Sequence, residues 1–225
     1  MIGIVILSFF LFLALGVPIA FVLGLSALVY ILLIDANLVL IAQRTFVFLD
    51  SFTLMAVPMY MLTGALMTHG GLTNRMVKFI QILVGHIPGA LGIVNVGGSM
   101  LFAGIQGSAT ADTSAIGGIL IPTMKKGGYT GEQAAAITAA SSTIGPIIPP
   151  SILMIVFAVT AETSIGEMFV GGAIPGALSG IAMIILIVFL AKRNNWKTTS
   201  ARASVKEIIV GARDAILALI APLII

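Results

Sequence analysis

No charged side chain occurs before Asp35, so the chain opens with an apolar run over residues 2–34. That run exceeds the roughly 20 helical residues that cross a hydrocarbon core of about 30 Å. The rest of the chain continues in the same way: 59% of its 225 residues are hydrophobic, 8% are charged, and the mean hydropathy is +1.19. Soluble domains carry roughly 25% charged residues, so the expected fold class is an all-α integral membrane protein. The length allows about seven to nine membrane segments and no sizeable soluble domain. The N-terminus has no positive n-region and no small-residue cleavage pattern, so no removable signal peptide is expected.

Composition narrows the chemistry further. The absence of cysteine excludes disulfides, thiolate catalysis and thiolate metal sites, and two histidines leave little for zinc or haem. The net charge of +3 comes from basic residues thinly spread through short connections. They report membrane orientation and not a nucleic-acid partner.

Polar breaks divide the chain. Gly16-Val17-Pro18 kinks or breaks the first run, and Asp35-Ala36-Asn37 ends it. A mixed stretch over 38–50 precedes a second span, 51–68, interrupted by Pro58. Residues 73–84 set Asn74, Arg75, Lys78 and Gln81 against Met76, Val77, Phe79, Ile80 and Leu83, the pattern of a helix lying at the interface. Residues 90–124 are apolar but cut by a polar tract at 106–114. The second arm beyond that tract, 115–123, would cover only about 14 Å. Two full spans do not fit, and a re-entrant helical hairpin with its tip buried at membrane depth does. Between 130–143 and 151–160 stand Gly145, Pro146, Pro149 and Pro150, which remove donors and helical geometry together, so a single span unwound near its middle is expected. A full span over 168–190 and a basic connection over 192–213 follow, and 207–225 reads as the start of a further segment cut short.

Charge placement agrees with this layout. With the N-terminus in the cytoplasm and the hairpin re-entrant, Arg75, Lys78, Lys125, Lys126, Lys192, Arg193, Lys197, Arg202, Lys206 and Arg213 all fall inside, and only Arg44 falls outside. The positive-inside rule expects this distribution.

The hairpin tip and the broken helix carry the chemistry. Unwound backbone frees carbonyl oxygens that suit a hard cation such as Na⁺, while half-helix N-termini suit an anion. Ser108, Thr110, Ser141, Ser142 and Thr143 add hydroxyls, although such groups also serve simply to satisfy helix ends. Asp112 is the sole carboxylate expected at depth. It is read either as proton carrier, cation ligand or substrate gate, or as the N-cap of the second hairpin arm. Asn95 and Gln106 read as interhelical bonds. Gly97-Gly98, Gly117-Gly118 and Gly171-Gly172 read as close-packing positions, and Met55, Met59, Met61 and Met67 as packing surface. No enzyme is expected: Ser108 has no histidine at depth to act as base, and Asp112 has no second carboxylate. A channel would show a continuous polar stripe in place of two clusters.

The tracts Gly104-Ile105-Gln106-Gly107-Ser108-Ala109-Thr110-Ala111-Asp112 and Ala140-Ser141-Ser142-Thr143-Ile144-Gly145-Pro146-Ile147-Ile148-Pro149-Pro150-Ser151 strongly resemble the large membrane subunit of tripartite ATP-independent periplasmic (TRAP) transporters. The likeness covers essentially the whole chain. It implies a sodium-driven importer of organic acids such as C4-dicarboxylates or sialic acids, in the bacterial inner membrane. Its partners would be a small four-helix membrane subunit and a soluble periplasmic substrate-binding protein. It also implies one half of an inverted-repeat elevator, with scaffold helices over 1–72, an arm helix over 73–87, the hairpin over 88–126 and the discontinuous helix over 130–162. A transmembrane helix over 163–191 and a connection into the second repeat over 192–225 complete the division. By the same likeness Gly104, Ser108, Thr143, Gly145, Ile148 and Pro149 are candidate sodium ligands, and Ser108, Thr110 and Asp112 candidate substrate residues. A sodium-coupled carboxylate carrier that works without a binding protein, or a non-transporting assembly subunit, would account for the same features.

Overall fold

The computed structural model describes residues 1–50, 54–194, 196 and 198–224. Ser51 at the start of the second predicted span, Lys197 in the basic connection and the terminal Ile225 lie outside the described residues. Every regular element among the described residues is helical, as apolar segments in lipid require of a backbone that must pair its own polar groups.

The chain forms two compact units, Met1–Phe52 and Thr53–Ile225. The first holds α1 (Ile2–Ala14), α2 (Ile19–Leu33) and α3 (Val39–Leu49). The opening run is therefore broken and not merely kinked. Gly16 turns the chain with a φ of +77°, and Pro18 precedes α2 with a φ of −56°. At 13 and 15 residues, α1 and α2 reach about 20 and 22 Å. They pack on each other.

The second unit holds α4 (Ala56–His69), α5 (Leu72–Val84), α6 (Ala90–Gln106), α7 (Ala109–Lys126), α8 (Gly131–Ser142), α9 (Ile152–Thr160), α10 (Ile165–Asn194) and α11 (Val205–Ile224). Pro58 does not interrupt α4. It falls in the first helical turn, where its missing N–H has no intrahelical partner to lose. The amphipathic segment folds as α5, with its apolar face, Met76, Val77 and Ile80, buried against α6 and α11. The helix α10 has 30 residues and is the one described helix both long and apolar enough to cross a membrane by length and composition.

The hairpin α6–α7 differs from expectation in the length of its arms. They have 17 and 18 residues, about 26 and 27 Å, and only Gly107 and Ser108 between them are non-helical. The tract predicted to be irregular over 106–114 is thus mostly the first turns of α7. Thr113 fits there because its hydroxyl donates to the Ala109 carbonyl one turn back at 2.8 Å, which satisfies a polar side chain without breaking the helix.

The discontinuous helix falls where expected, α8 ending at Ser142 and α9 starting at Ile152. A capping box opens α8: the Gln133 N–H donates to the Thr130 hydroxyl at 3.1 Å, and the Thr130 N–H donates to the Gln133 side-chain oxygen at 3.0 Å. Thr130→Ala is expected to cost about 1 kcal/mol of stability, read as a lower midpoint of thermal unfolding; an unchanged midpoint would mean that tertiary packing alone holds this helix start.

Phe102, Ile105, Ile116, Leu120, Met124 and Ile144 form the centre of the core between α6, α7 and the end of α8. Glycine makes the close approaches possible at only some of the predicted pairs. An added Cβ on Gly97 would meet Ile80, on Gly98 Ile116, on Gly117 Thr138 and on Gly172 Met154, whereas Gly118 and Gly171 face open space. Of the methionines, Met67 is buried while Met55, Met59 and Met61 are exposed.

At the foot of the hairpin Tyr129 stacks on Trp196, ring centroids 4.1 Å apart. The Gly92 N–H donates to its hydroxyl at 3.3 Å. Burial pushes the Tyr129 phenol up to about 12, so it stays neutral and keeps this contact throughout the physiological range.

Candidate functional site at the hairpin tip and the broken helix

Four helix ends meet where the hairpin tip touches the broken helix. Gly107 ends α6 in the left-handed region, φ +58°, and its N–H donates to the Ala103 carbonyl at 3.0 Å. Among the described residues no donor reaches the carbonyls of Gly104, Ile105 or Gln106, the last of α6. Ser108 then caps α7, its hydroxyl accepting from the Ala111 N–H at 3.5 Å and sharing a hydrogen bond of 3.1 Å with Thr110.

Across from it, the break at 143–151 has few donors, because Pro146, Pro149 and Pro150 contribute none. The donors that remain turn inward: Gly145 N–H to the Ser142 carbonyl at 3.1 Å, Ile148 N–H to the Ile144 carbonyl at 3.0 Å, and the Ser151 hydroxyl to the Pro146 carbonyl at 2.7 Å. The carbonyls of Thr143, Gly145, Ile147, Ile148, Pro149 and Pro150 accept no hydrogen bond among the described residues. Ser151 also caps α9, accepting from the Met154 N–H at 3.3 Å.

Two glycines let the breaks interlock. A Cβ on Gly107 would run into the Pro150 carbonyl and lie 2.6 Å from the Ser151 Cα; one on Gly145 would lie 3.3 Å from the Ser108 carbonyl carbon and 3.4 Å from the Ala109 nitrogen. Behind the break, Gly172 and Gly176 of α10 press against Ile147 and Ile148, where a Cβ would come within 2.7 Å of the Ile147 carbonyl and 2.6 Å of the Ile148 side chain. The carbonyl ends of α6 and α8 carry partial negative charge and the amide ends of α7 and α9 partial positive charge. One small region therefore offers free oxygens for a cation beside free N–H groups for an anion.

Ser108 and Gly145 meet at this junction, while Ile148 and Pro149 lie in the unwound stretch, Ile148 packed against Gly176 of α10, and Gly104 is buried in the last turn of α6. Thr143 stands at its edge, its side chain exposed and its hydroxyl proton committed to the Ala140 carbonyl at 2.7 Å, which leaves the oxygen's lone pairs free. Ser108 and Thr110 share an outer face, Thr110 being exposed. Asp112 is not the N-cap of α7, a role that Ser108 takes. It lies one turn in, only 1% exposed, with neither carboxylate oxygen hydrogen-bonded among the described residues. Gln106 makes no interhelical hydrogen bond among the described residues; its side chain packs over Gly64 of α4. Asn95 does bond across helices, donating to Thr138 at 2.7 Å and accepting from Ser141 at 2.9 Å. The partners Ser99 and Thr138 escaped the sequence reading. Their signal was there: Asn95 and Ser99 lie at i and i+4, and Thr138, Ser141 and Ser142 at i, i+3 and i+4, so each set lines one helix face.

The sequence matches the profile of the family described as tripartite ATP-independent periplasmic transporter, DctM component, over residues 6–225. The chain belongs to this DctM family. It is 40% identical over 211 residues to the sialic acid TRAP transporter large permease protein SiaM of Vibrio cholerae, covering 93% of this chain and 49% of that protein. It is also 40% identical to the sialic acid TRAP transporter permease protein SiaT of Haemophilus influenzae, covering 93% of this chain and 34% of that protein. To the C4-dicarboxylate TRAP transporter large permease protein DctM of Vibrio cholerae it is 41% identical over 182 residues, covering 80% of this DctM-family chain and 40% of that protein. The chain thus spans between a third and a half of the length of these three relatives.

Proposed function

We propose that this DctM-family chain is one repeat of the large permease subunit of a sodium-coupled TRAP transporter in the bacterial inner membrane, with its N-terminus in the cytoplasm. The substrate class is an organic acid, a C4-dicarboxylate or a sialic acid, handed over by a periplasmic binding protein, and a small four-helix subunit stands beside the permease in the bilayer. The observation that carries the reading is the meeting of two helix breaks, several of whose carbonyls accept no hydrogen bond among the described residues. A hard monovalent cation needs such an all-oxygen set, and half-helix carbonyl ends are where coupling ions bind in discontinuous-helix carriers.

Na⁺ is a transported co-substrate in this scheme. It is held by the Gly104, Gly145, Ile148 and Pro149 carbonyls with the Ser108 and Thr143 hydroxyls, and it joins the tip to the broken helix. Its charge, together with the free N–H groups opening α7 and α9, then favours a substrate carboxylate beside Ser108 and Thr110. An ion that binds the joined arrangement better than the separated one shifts the population toward it. The transport domain, hairpin and broken helix together, then moves against its scaffold in an elevator motion.

The test is uptake of labelled sialic acid or C4-dicarboxylate by proteoliposomes holding the full-length permease and its small subunit. Uptake is expected only with both a Na⁺ gradient and the binding protein, and Ser108→Ala is expected to raise the half-saturating Na⁺ concentration about tenfold, equivalent to about 1.4 kcal/mol. Sodium-dependent uptake without the binding protein would indicate a carrier that works alone. Uptake indifferent to sodium would remove the cation site.

A further inference from the structure

Away from the hairpin tip, basic residues gather where α5 meets the start of α11. Arg75 and Lys78 stand on the exposed side of α5, whose other face buries Met76, Val77 and Ile80. Arg202 precedes α11 and Lys206 lies in its first turn, both exposed. Gly211 lets the two helices come close: a Cβ there would meet the Ile82 side chain at 2.7 Å and the Phe79 ring at 3.4 Å. Two grooves border that crossing. One, about 570 Å³, is lined by Ile82, Arg202, Lys206, Val210, Gly211 and Asp214 among others. The second, about 380 Å³, is lined by Arg75, Lys78, Phe79, Ile82, Gly211 and Asp214.

Charge and polarity together select an occupant. Four cations and two carboxylates, Glu207 and Asp214, line the pair of grooves. Glu207 is already engaged at the start of α11, its carboxylate accepting from the Ser204 N–H at 2.7 Å and from the Ser204 hydroxyl at 2.9 Å. The pair keeps a surplus of positive charge. Between the cations the walls are apolar, formed by Phe79, Ile82 and Val210. Beyond Asp214, α11 carries no charge. Leu217 follows Asp214 at i+3 and Val210 at i+7, which continues the same helix face, and it is 65% exposed. The face thus runs from cationic to apolar along α11. A ligand that is anionic at one end and hydrocarbon along the rest matches that order. Free phosphate would leave the apolar walls uncovered, whereas a phospholipid covers them and brings its phosphate to Arg and Lys donors.

We propose that the crossing of α5 and α11 binds an anionic phospholipid, its headgroup phosphate held by Arg202 and Lys206 from one helix and by Arg75 and Lys78 from the other. The acyl chains lie along Val210 and Leu217. The inference needs only that the chain sits in a bilayer and stands apart from the cation reading at the tip. Because α5 packs on α6 as well as on α11, the lipid braces against the membrane surface the helix that supports the hairpin.

The experiment uses the purified full-length permease with its small subunit, in sodium-free nanodiscs of phosphatidylcholine with an increasing fraction of phosphatidylglycerol. Lipid retained on the protein is read by native mass spectrometry, and the thermal midpoint is followed in parallel. Phosphatidylglycerol is expected to be retained over phosphatidylcholine and to raise the midpoint. A cation near a membrane surface contributes roughly a fivefold factor, so Arg202→Gln/Lys206→Gln is expected to weaken that preference at least tenfold and to remove most of the rise in midpoint. Arg75→Gln/Lys78→Gln is expected to act in the same direction. All four side chains are exposed, so these variants keep the core intact. Lys192→Gln/Arg193→Gln, which removes the same charge from exposed positions in the last turn of α10, is the control and is expected to retain the lipid fully. Unchanged retention in both groove variants would overturn the proposal and point to another part of the permease covering the crossing. An equal loss in the control would overturn it too, since overall charge would then account for the attraction. So would a midpoint raised as much by inorganic phosphate without phosphatidylglycerol. With sodium absent throughout, failure of the tip site leaves this result untouched.

Discussion

Gly107→Ala is expected to lower sodium-dependent uptake at least tenfold and to raise the half-saturating Na⁺ concentration with it. Alanine in the left-handed conformation that Gly107 holds, φ +58°, costs about 1–2 kcal/mol. The larger effect is steric. The new methyl group would run into the Pro150 carbonyl and stand 2.6 Å from the Ser151 Cα and 3.0 Å from the Ile152 nitrogen. All three are backbone atoms in a segment held by prolines, so no side chain can swing aside. The tip must lift from the broken helix, which would separate the two sets of free carbonyls assigned to the proposed cation site. Gly118→Ala is the control, since a Cβ there meets nothing within 4 Å and alanine favours the helix. Retention of both uptake and sodium affinity in Gly107→Ala would show that the interlock of the breaks has no part in coupling.

Asn95→Leu is expected to lower the thermal midpoint of the detergent-solubilised permease by several degrees. Asn95 is fully buried, and its amide makes two interhelical bonds at 2.7 and 2.9 Å with a further contact to the Met124 sulfur at 3.4 Å. Bonds of this kind within membranes contribute about 0.6 kcal/mol on average and up to about 1.7. Their loss, with Ser141 left seeking a new acceptor, sums to about 1–3 kcal/mol. Thr138→Val, which keeps the shape and removes one interhelical bond together with the bond within α8 to the Ala134 carbonyl, is expected to show a smaller drop. Equal midpoints for Asn95→Leu and the unsubstituted protein would mean that apolar packing alone sets the register of α6 on α8.

The broken helix was legible because its signal is covalent. Three prolines and a glycine between residues 144 and 151 leave no helical alternative, and the observed ends of α8 and α9 lie within two residues of those expected. The hairpin was half legible. Its turn was found, but its polar first turn was taken for loop, since polarity in an apolar run marks where a residue is buried and not whether its backbone is helical. Thr113 shows the difference by bonding to its own helix. Pro58 shows the same limit, because a proline in the first turn and one in mid-helix look alike until the helix start is known.

What the sequence determined by itself was therefore local or compositional: helices for a chain with so few charges, the unwound stretch, the glycine at the tip, and the family that the two tracts resemble. Tertiary structure alone decided which groups face one another. Nothing in residue spacing says that Gly107 seats on Pro150, or that Ser108 and not Asp112 caps α7. Nor does it say that the Ser99 proton turns toward Ser141 and leaves Asp112 without a hydrogen-bond partner among the described residues. The physical reason is that backbone conformation answers to a residue and its near neighbours, whereas a buried polar atom is satisfied or orphaned by whatever the packing of distant helices brings beside it.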